Sequence, residues 1–193
     1  MENIEESEDI LIAKRLVFIS LPILFNQPKK IEKAEIKKYT SILGNSLKFS
    51  NQIVKQVENF LESVNFLVEF SEKFDSAKKF ESNEIIDICN WLRKSISFSK
   101  ISILISQLIL NRGFIEMDNS FSSSFSKKLE NEIDVSSILS LSPLLDGHQI
   151  SSLTNTSNKS LGDAIKDAFE WQLLHPYKPK HELENYLKQK YNK

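Results

Sequence analysis

The chain has 193 residues, 25 Lys and Arg against 26 Asp and Glu, and a formal net charge of −1. That balance excludes a histone-like polycation, though not a local basic face. Hydrophobic residues at 40% and charged residues at 26% place it with globular proteins, and 4 Gly with 5 Pro are too few for a β-rich or Gly-loop enzyme, which points to helices.

Glu5–Phe25 carries apolar residues on nearly every side, as a helix buried on several faces does. Glu5, Glu6, Glu8 and Asp9 suit its positive N-terminal end. The apolar run from Ile10 to Phe25 is interrupted by Lys14, Arg15 and Pro22, and falls short of the roughly 20 apolar residues a membrane span needs. Ile31–Leu43 is the next predicted helix, with Gly44 as its C-cap. From Leu47 to Val68 apolar residues recur at three- and four-residue steps, predicting the longest helix over Ser46–Phe70. Ser71–Phe80 reads as a short helix or a turn. Ser82 caps a helix bearing Ile85, Ile88, Cys89 and Leu92, and Ile101–Leu110 reads as a helix stopped at Arg112-Gly113.

Met117–Ser126 is polar and low in complexity, with two aromatics. It divides the chain into a helical body (1–115), a Ser-rich linker (116–130) and a smaller helical tail (131–193). The tail opens with a short helix over Ile133–Leu141, ended by Pro143. A turn at Asp146-Gly147 precedes Ile150 and Leu153. A helix over Ser160–His175 is stopped by Pro176. Pro179 opens a last helix with a Leu183, Tyr186, Leu187, Tyr191 stripe. The expectation is an all-α protein of body and tail, without an α/β catalytic head.

Reactive constellations are missing from the sequence. No two of the four glycines form a phosphate loop. His148, His175 and His181 have no i, i+4 pair for zinc, and Cys89, the single cysteine, sits in an apolar stretch that reads as an inert thiol. A lone cysteine supports neither a disulfide framework nor a thiolate cluster. Together with an acidic rather than basic start at Met1–Asp9, this predicts an intracellular, non-membrane protein in a reducing compartment. Cytoplasm, nucleus and organelle are not distinguished. No enzyme activity is expected of this chain alone.

Binding features are present. Lys29, Lys30, Lys33, Lys37 and Lys38 cluster against Glu32 and Glu35, and on a helix Lys30, Lys33 and Lys37 share a face. That face is either simply solvated or a contact for phosphates. Lys188, Lys190 and Lys193 also complement a helix dipole. Arginine is limited to Arg15, Arg93 and Arg112, which favours backbone or shape recognition over bidentate base readout. Trp91 and Trp171 read as packing residues rather than stacking platforms.

The tail runs Pro143-Leu144-Leu145-Asp146-Gly147-His148-Gln149-Ile150, then Lys159-Ser160-Leu161-Gly162, then Glu170-Trp171-Gln172-Leu173-Leu174-His175-Pro176. Lys180-His181-Glu182-Leu183 and Tyr186-Leu187-Lys188 close it. This order resembles the carboxyl-terminal tail of class II CCA-adding enzymes, the tRNA nucleotidyltransferases. The stretch Ser41–Asn51 and the Leu16–Phe25 run with Pro22 resemble helices in the body of the same family. Asn158 stands where the family commonly has Gly. The likeness is carried by about fifty tail residues.

The resemblance implies a helical module that holds the tRNA elbow by shape and backbone contacts. It presents the acceptor end to a head that adds C, C and A without a template. The family's head pairs two metal-holding carboxylates with a Gly-Ser, and its neck reads the base with Glu-Asp and a double Arg. Neither pattern occurs here. Magnesium, CTP and ATP are therefore implied for the parent enzyme and none for this chain, with the head supplied in cis or in trans. The expected phosphate contacts are Lys29, Lys30, Lys33, Lys37, Lys159 and Lys178. Pro143, Gly147, Gly162, Trp171 and Pro176 are expected as structural residues: Gly147 for a positive φ, Gly162 for close helix approach, Trp171 for packing on the helix of Ile150 and Leu153. The alternative is a helical protein-interaction module presenting exposed aromatics such as Phe121 and Phe125.

Overall fold

A computed structural model describes residues 11–13, 15–16, 31–95, 99–110 and 120–191. Among the described residues there are helices and no strand, so the fold is all-α. We number the helices α1 (Lys33–Ser41), α2 (Asn51–Ser71), α3 (Ser82–Ser95), α4 (Ser99–Leu110), α5 (Ser120–Glu132), α6 (Val135–Ser140), α7 (Gly147–Thr154), α8 (Asn158–Leu174) and α9 (Lys180–Tyr191), with a π turn over Ile42–Ser46 after α1. The expected helix at Glu5–Phe25 and the stop at Arg112-Gly113 lie largely or wholly outside the described residues.

The chain forms two compact units, Met1–Lys78 with Lys94–Leu129, and Lys79–Arg93 with Glu130–Lys193. Contacts group most of α3 with the tail, so the division does not follow the body, linker and tail order expected from composition. Arg93 makes side-chain contacts within the second unit. Its guanidinium donates to the Ile138 and Leu141 carbonyls at 2.8 and 3.0 Å and lies over the Phe169 ring at 5.0 Å. Those carbonyls belong to the C-terminal end of α6, which a cation both hydrogen-bonds and stabilises. Glu132 adds a second tie, accepting from the Phe80 amide at 2.8 Å.

The first unit is organised by α2. Ser50 caps it through its hydroxyl, which accepts from the Ile53 amide, and Ile53, Val57, Phe60, Leu61, Val64, Leu67 and Val68 are buried along it. Each such side chain contributes roughly 1.5–3 kcal/mol of burial. Ile36, Leu43 and Ile105 join this core. Ser63 and Ser102 share a buried hydroxyl bond of 2.9 Å between α2 and α4. Asn65 faces another segment: its side chain donates to the Ile31 carbonyl at 2.6 Å and accepts from the Ile31 amide at 3.1 Å.

The predicted helix start at Ser46 is moved to Asn51 by the backbone. Lys48 takes φ 58°, and the Phe49 amide reaches the Leu43 carbonyl at 3.0 Å. The left-handed residue is thus Lys48. Gly44 sits inside the π turn and does not cap α1.

The Ser-rich segment differs most from expectation. Residues 120–132 are helix α5, and Phe125 is fully buried. Its ring meets Phe70 edge-on at 5.7 Å and Phe74 at 5.8 Å, while Phe121 meets Phe74 at 5.3 Å. Lys128 donates to the Asp75 carbonyl at 2.8 Å and to that of Lys78, pinning the turns that follow α2. Serine content hid an i, i+4, i+8 stripe of Phe121, Phe125 and Leu129. Phe125→Ala is expected to destabilise this unit by about 3–5 kcal/mol, read as faster hydrogen exchange of the α2 amides. Unchanged protection would return the segment to a linker.

Candidate nucleic-acid interface

The basic residues singled out in the sequence have unequal surroundings. Lys33 and Lys37 are exposed one turn apart on α1, each three residues before a buried neighbour, Ile36 and Thr40, so they border the buried stripe. Lys29 and Lys30 lie outside the described residues. Lys159 is exposed in the first turn of α8, where a cation opposes the helix dipole and so contributes nothing to helix stability. Lys178 differs: it bonds Glu182 at 2.7 Å and by that bond holds the Glu182 carboxyl below its ordinary range. Lys159 lies in the first turn of α8 and Lys178 beyond its last residue, and a helix of that length spans about 25 Å at 1.5 Å per residue.

Lys190 is likewise engaged, bonding Asp167 at 2.7 Å, and Tyr191 donates to the same carboxylate. Burial works against the Asp167 charge, but these two donors outweigh it and hold the carboxyl low. Burial first, then the bond to Asp167, pushes the Tyr191 hydroxyl up to about 12. The pair fastens the end of α9 to α8. Cys89 is fully buried, and burial pushes its thiol up to about 11 against the opposing charge of Arg93. Among the described residues no three His, Cys, Asp or Glu side chains form a group able to hold a metal.

The motif residues form one constellation in the second unit. Leu145, Ile150, Ala164, Ala168, Leu183 and Leu187 make its core, with Leu144, Leu153, Leu161, Trp171 and Tyr186 packed against it. Trp171 stacks on Tyr186 of α9 at 6.0 Å and meets His175 edge-on at 4.8 Å, whereas the expected partner was the helix of Ile150 and Leu153. Gln172 is buried, and its side-chain amide donates to the Ser142 carbonyl at 2.7 Å and accepts from the Leu144 amide at 3.2 Å. That side chain reads the backbone on both sides of Pro143. Pro143 itself is exposed, and its ring leaves no N–H needing a partner there. Pro176 follows the His175 cap of α8, where the His175 amide is shared between the Trp171 and Gln172 carbonyls.

Two glycine expectations are corrected. Asp146-Gly147 is a helix start with a capping box: the Asp146 carboxylate accepts from the Gln149 amide at 2.8 Å and the Gln149 side chain accepts from the Asp146 amide at 3.1 Å. Gly147 is the first residue of α7 with no positive φ, and a Cβ there would meet only the Ile165 side chain at 3.6 Å. The positive φ belongs to Asn155, which closes α7 at 52°. Gly162 faces open space, with nothing within 4 Å of an added Cβ, so no helix approaches it closely.

His148 and Lys180 line a shallow open groove of about 360 Å³ with Leu145, Gln149, Ser152, Leu153 and Glu184. His148, His175 and His181 do not converge on a common ligand set among the described residues. No described helix is long and apolar enough to cross a membrane. No family model, no curated protein and no solved structure matches this chain.

Two substitutions test this geometry. Gln172→Leu leaves the Ser142 carbonyl and the Leu144 amide without partners and is expected to cost about 2–4 kcal/mol, seen as a lower denaturation midpoint. A wild-type midpoint would show that the amide bonds are not needed. Gly162→Ala is expected to raise stability by about 0.5–1 kcal/mol, because a helix-interior glycine with open space beside it gains from a methyl group. Destabilisation in a thermal melt would mean that a neighbour does approach the glycine.

Proposed function

We propose that this chain is the tRNA-binding body and tail module of a class II CCA-adding tRNA nucleotidyltransferase. It holds the tRNA elbow while a head adds C, C and A to the 3′ end. The single observation that carries the reading is the Gln172 bond pair. It joins the Pro143-Leu144-Leu145 stretch to the Trp171-Gln172 pair, two of the separate stretches on which the family likeness rests. Residues far apart in the chain, singled out by order alone, are thus used together as one structural unit.

Surface chemistry supports a backbone-reading role. Arg93 is committed to α6 and Phe169, and so is removed from base readout. Lys33, Lys37 and Lys159 remain exposed as phosphate contacts. Lys29 and Lys30 extend the same basic run in sequence, whereas Lys178 is better assigned to its ion pair with Glu182. Catalysis, with magnesium, CTP and ATP, belongs to a head acting in cis or in trans. The protein-interaction alternative drew on Phe121 and Phe125 as exposed aromatics. Phe125 is fully buried and Phe121 is packed on Phe74, so that support is gone.

The test is fluorescence anisotropy of a labelled tRNA transcript against this chain over a salt series, with a generic RNA hairpin as competitor. Preferential tRNA binding that weakens with salt is expected. Replacing Lys30, Lys33 and Lys37 by Ala should weaken binding and lower the magnitude of the log K against log salt slope by about 2. Absence of binding, or equal affinity for the hairpin, overturns the reading. An unchanged slope removes the basic run from the interface.

A further inference from the structure

Tyr177 is the most exposed large hydrophobic side chain among the described residues, at 74%. It lies in the connection between α8 and α9, between Pro176 and Pro179, whose rings restrict the backbone. The turn is closed by the Lys178 amide on the His175 carbonyl at 3.1 Å and the Glu182 amide on the Pro179 carbonyl at 3.0 Å. An exposed tyrosine ordinarily samples several rotamers. This one is tethered at its far end, where the hydroxyl donates to the Asp134 carboxylate and lies 3.0 Å from the Ser137 hydroxyl. The same Asp134 caps α6, accepting from the Ser137 amide at 3.1 Å. The Tyr177 bond, ahead of the Ser137 bonds, holds the Asp134 carboxyl below its ordinary range. The ring is therefore held at its hydroxyl tip while much of its surface stays open to solvent.

We propose that Tyr177 is a stacking platform for an unpaired base of a bound RNA. The inference rests on the tRNA-binding reading and adds to it a contact that the basic residues do not supply. A fixed, exposed aromatic ring offers a flat surface whose rotamer entropy is already spent, and base stacking on such rings contributes about 1–3 kcal/mol per base. The surrounding charges favour a base over a phosphate. Next to the ring in sequence Lys178 is paired with Glu182, and at its hydroxyl stands the Asp134 carboxylate. With that lysine engaged and a carboxylate at the hydroxyl, the site suits the neutral ring of a splayed-out base better than a direct phosphate contact. Unpaired bases are the usual targets of aromatic RNA contacts.

The measurement is the affinity of the full chain for a labelled tRNA transcript, with a blunt, fully paired RNA duplex as second probe. Tyr177→Ala is expected to weaken tRNA binding by roughly 5- to 100-fold, with the salt slope unchanged because no phosphate contact is lost. Duplex binding should not change. Tyr177→Phe and Tyr177→Trp, which keep an aromatic ring and lose the hydroxyl tether, should both fall between wild type and Ala. Circular dichroism melts of each variant separate stacking from folding. Wild-type affinity in Tyr177→Ala, or an equal loss in Tyr177→Trp, overturns the platform while leaving the tRNA reading intact. A wild-type chain that binds no tRNA overturns that reading, and the platform with it.

Discussion

In both units a helix uses a buried side-chain amide to grip the backbone of a non-helical segment. Asn65 does so in the first unit, taking both the amide and the carbonyl of Ile31. Gln172 does so in the second, spanning Pro143 to reach Ser142 and Leu144. A carboxamide carries one acceptor and two donor hydrogens, so it can pair with backbone as a neighbouring strand would. Buried without such partners it would cost several kcal/mol. The bonds therefore impose a position on the segment as well as stabilising it, because a slip of one residue would leave the amide unsatisfied. Hydrophobic burial along α2 and α8 supplies the bulk of the energy, and the amides set the register of what packs on them.

The same economy governs the cations. Arg93, Lys128, Lys178 and Lys190 all have bonds within their own unit. Arg93 and Lys128 satisfy carbonyls at the ends of helices or turns, and Lys178 and Lys190 neutralise carboxylates. A formal charge of −1 thus conceals a division between structural cations and a smaller exposed set, Lys33, Lys37 and Lys159 among them. On the proposed RNA-binding reading, so small an exposed set would supply few phosphate contacts, and a shape- or stacking-based contribution would become proportionately more important.

Particular residues show how much was legible in the sequence. The α2 stripe from Ile53 to Val68 was readable because period 3.6 is a local property of the sequence. Pro176 and Pro179 bounded α8 and α9 for an equally local reason: a missing N–H and a locked φ act whatever the surroundings. Asp146 with Gln149 was readable only as a turn, although the Asp-x-x-Gln spacing is that of a capping box. The helix over Ser120–Glu132 was missed because serine composition outweighed the spacing of Phe121, Phe125 and Leu129. Among the candidate site residues, the order of the tail motif was legible, but the part played by Gln172 in joining it was not.

What the sequence determined by itself was the helical class, the longest helix, the proline boundaries and the separation of basic runs, all set by interactions within a few residues. Tertiary structure decided what depends on partners far along the chain. It grouped most of α3 with the tail, buried Phe125 against Phe70 and Phe74, and engaged Lys178 in an ion pair. It also tethered Tyr177 to Asp134, forty-three residues away in sequence. Burial and pairing are properties of a neighbourhood, and a side chain's neighbours across such distances exist only once the helices have packed.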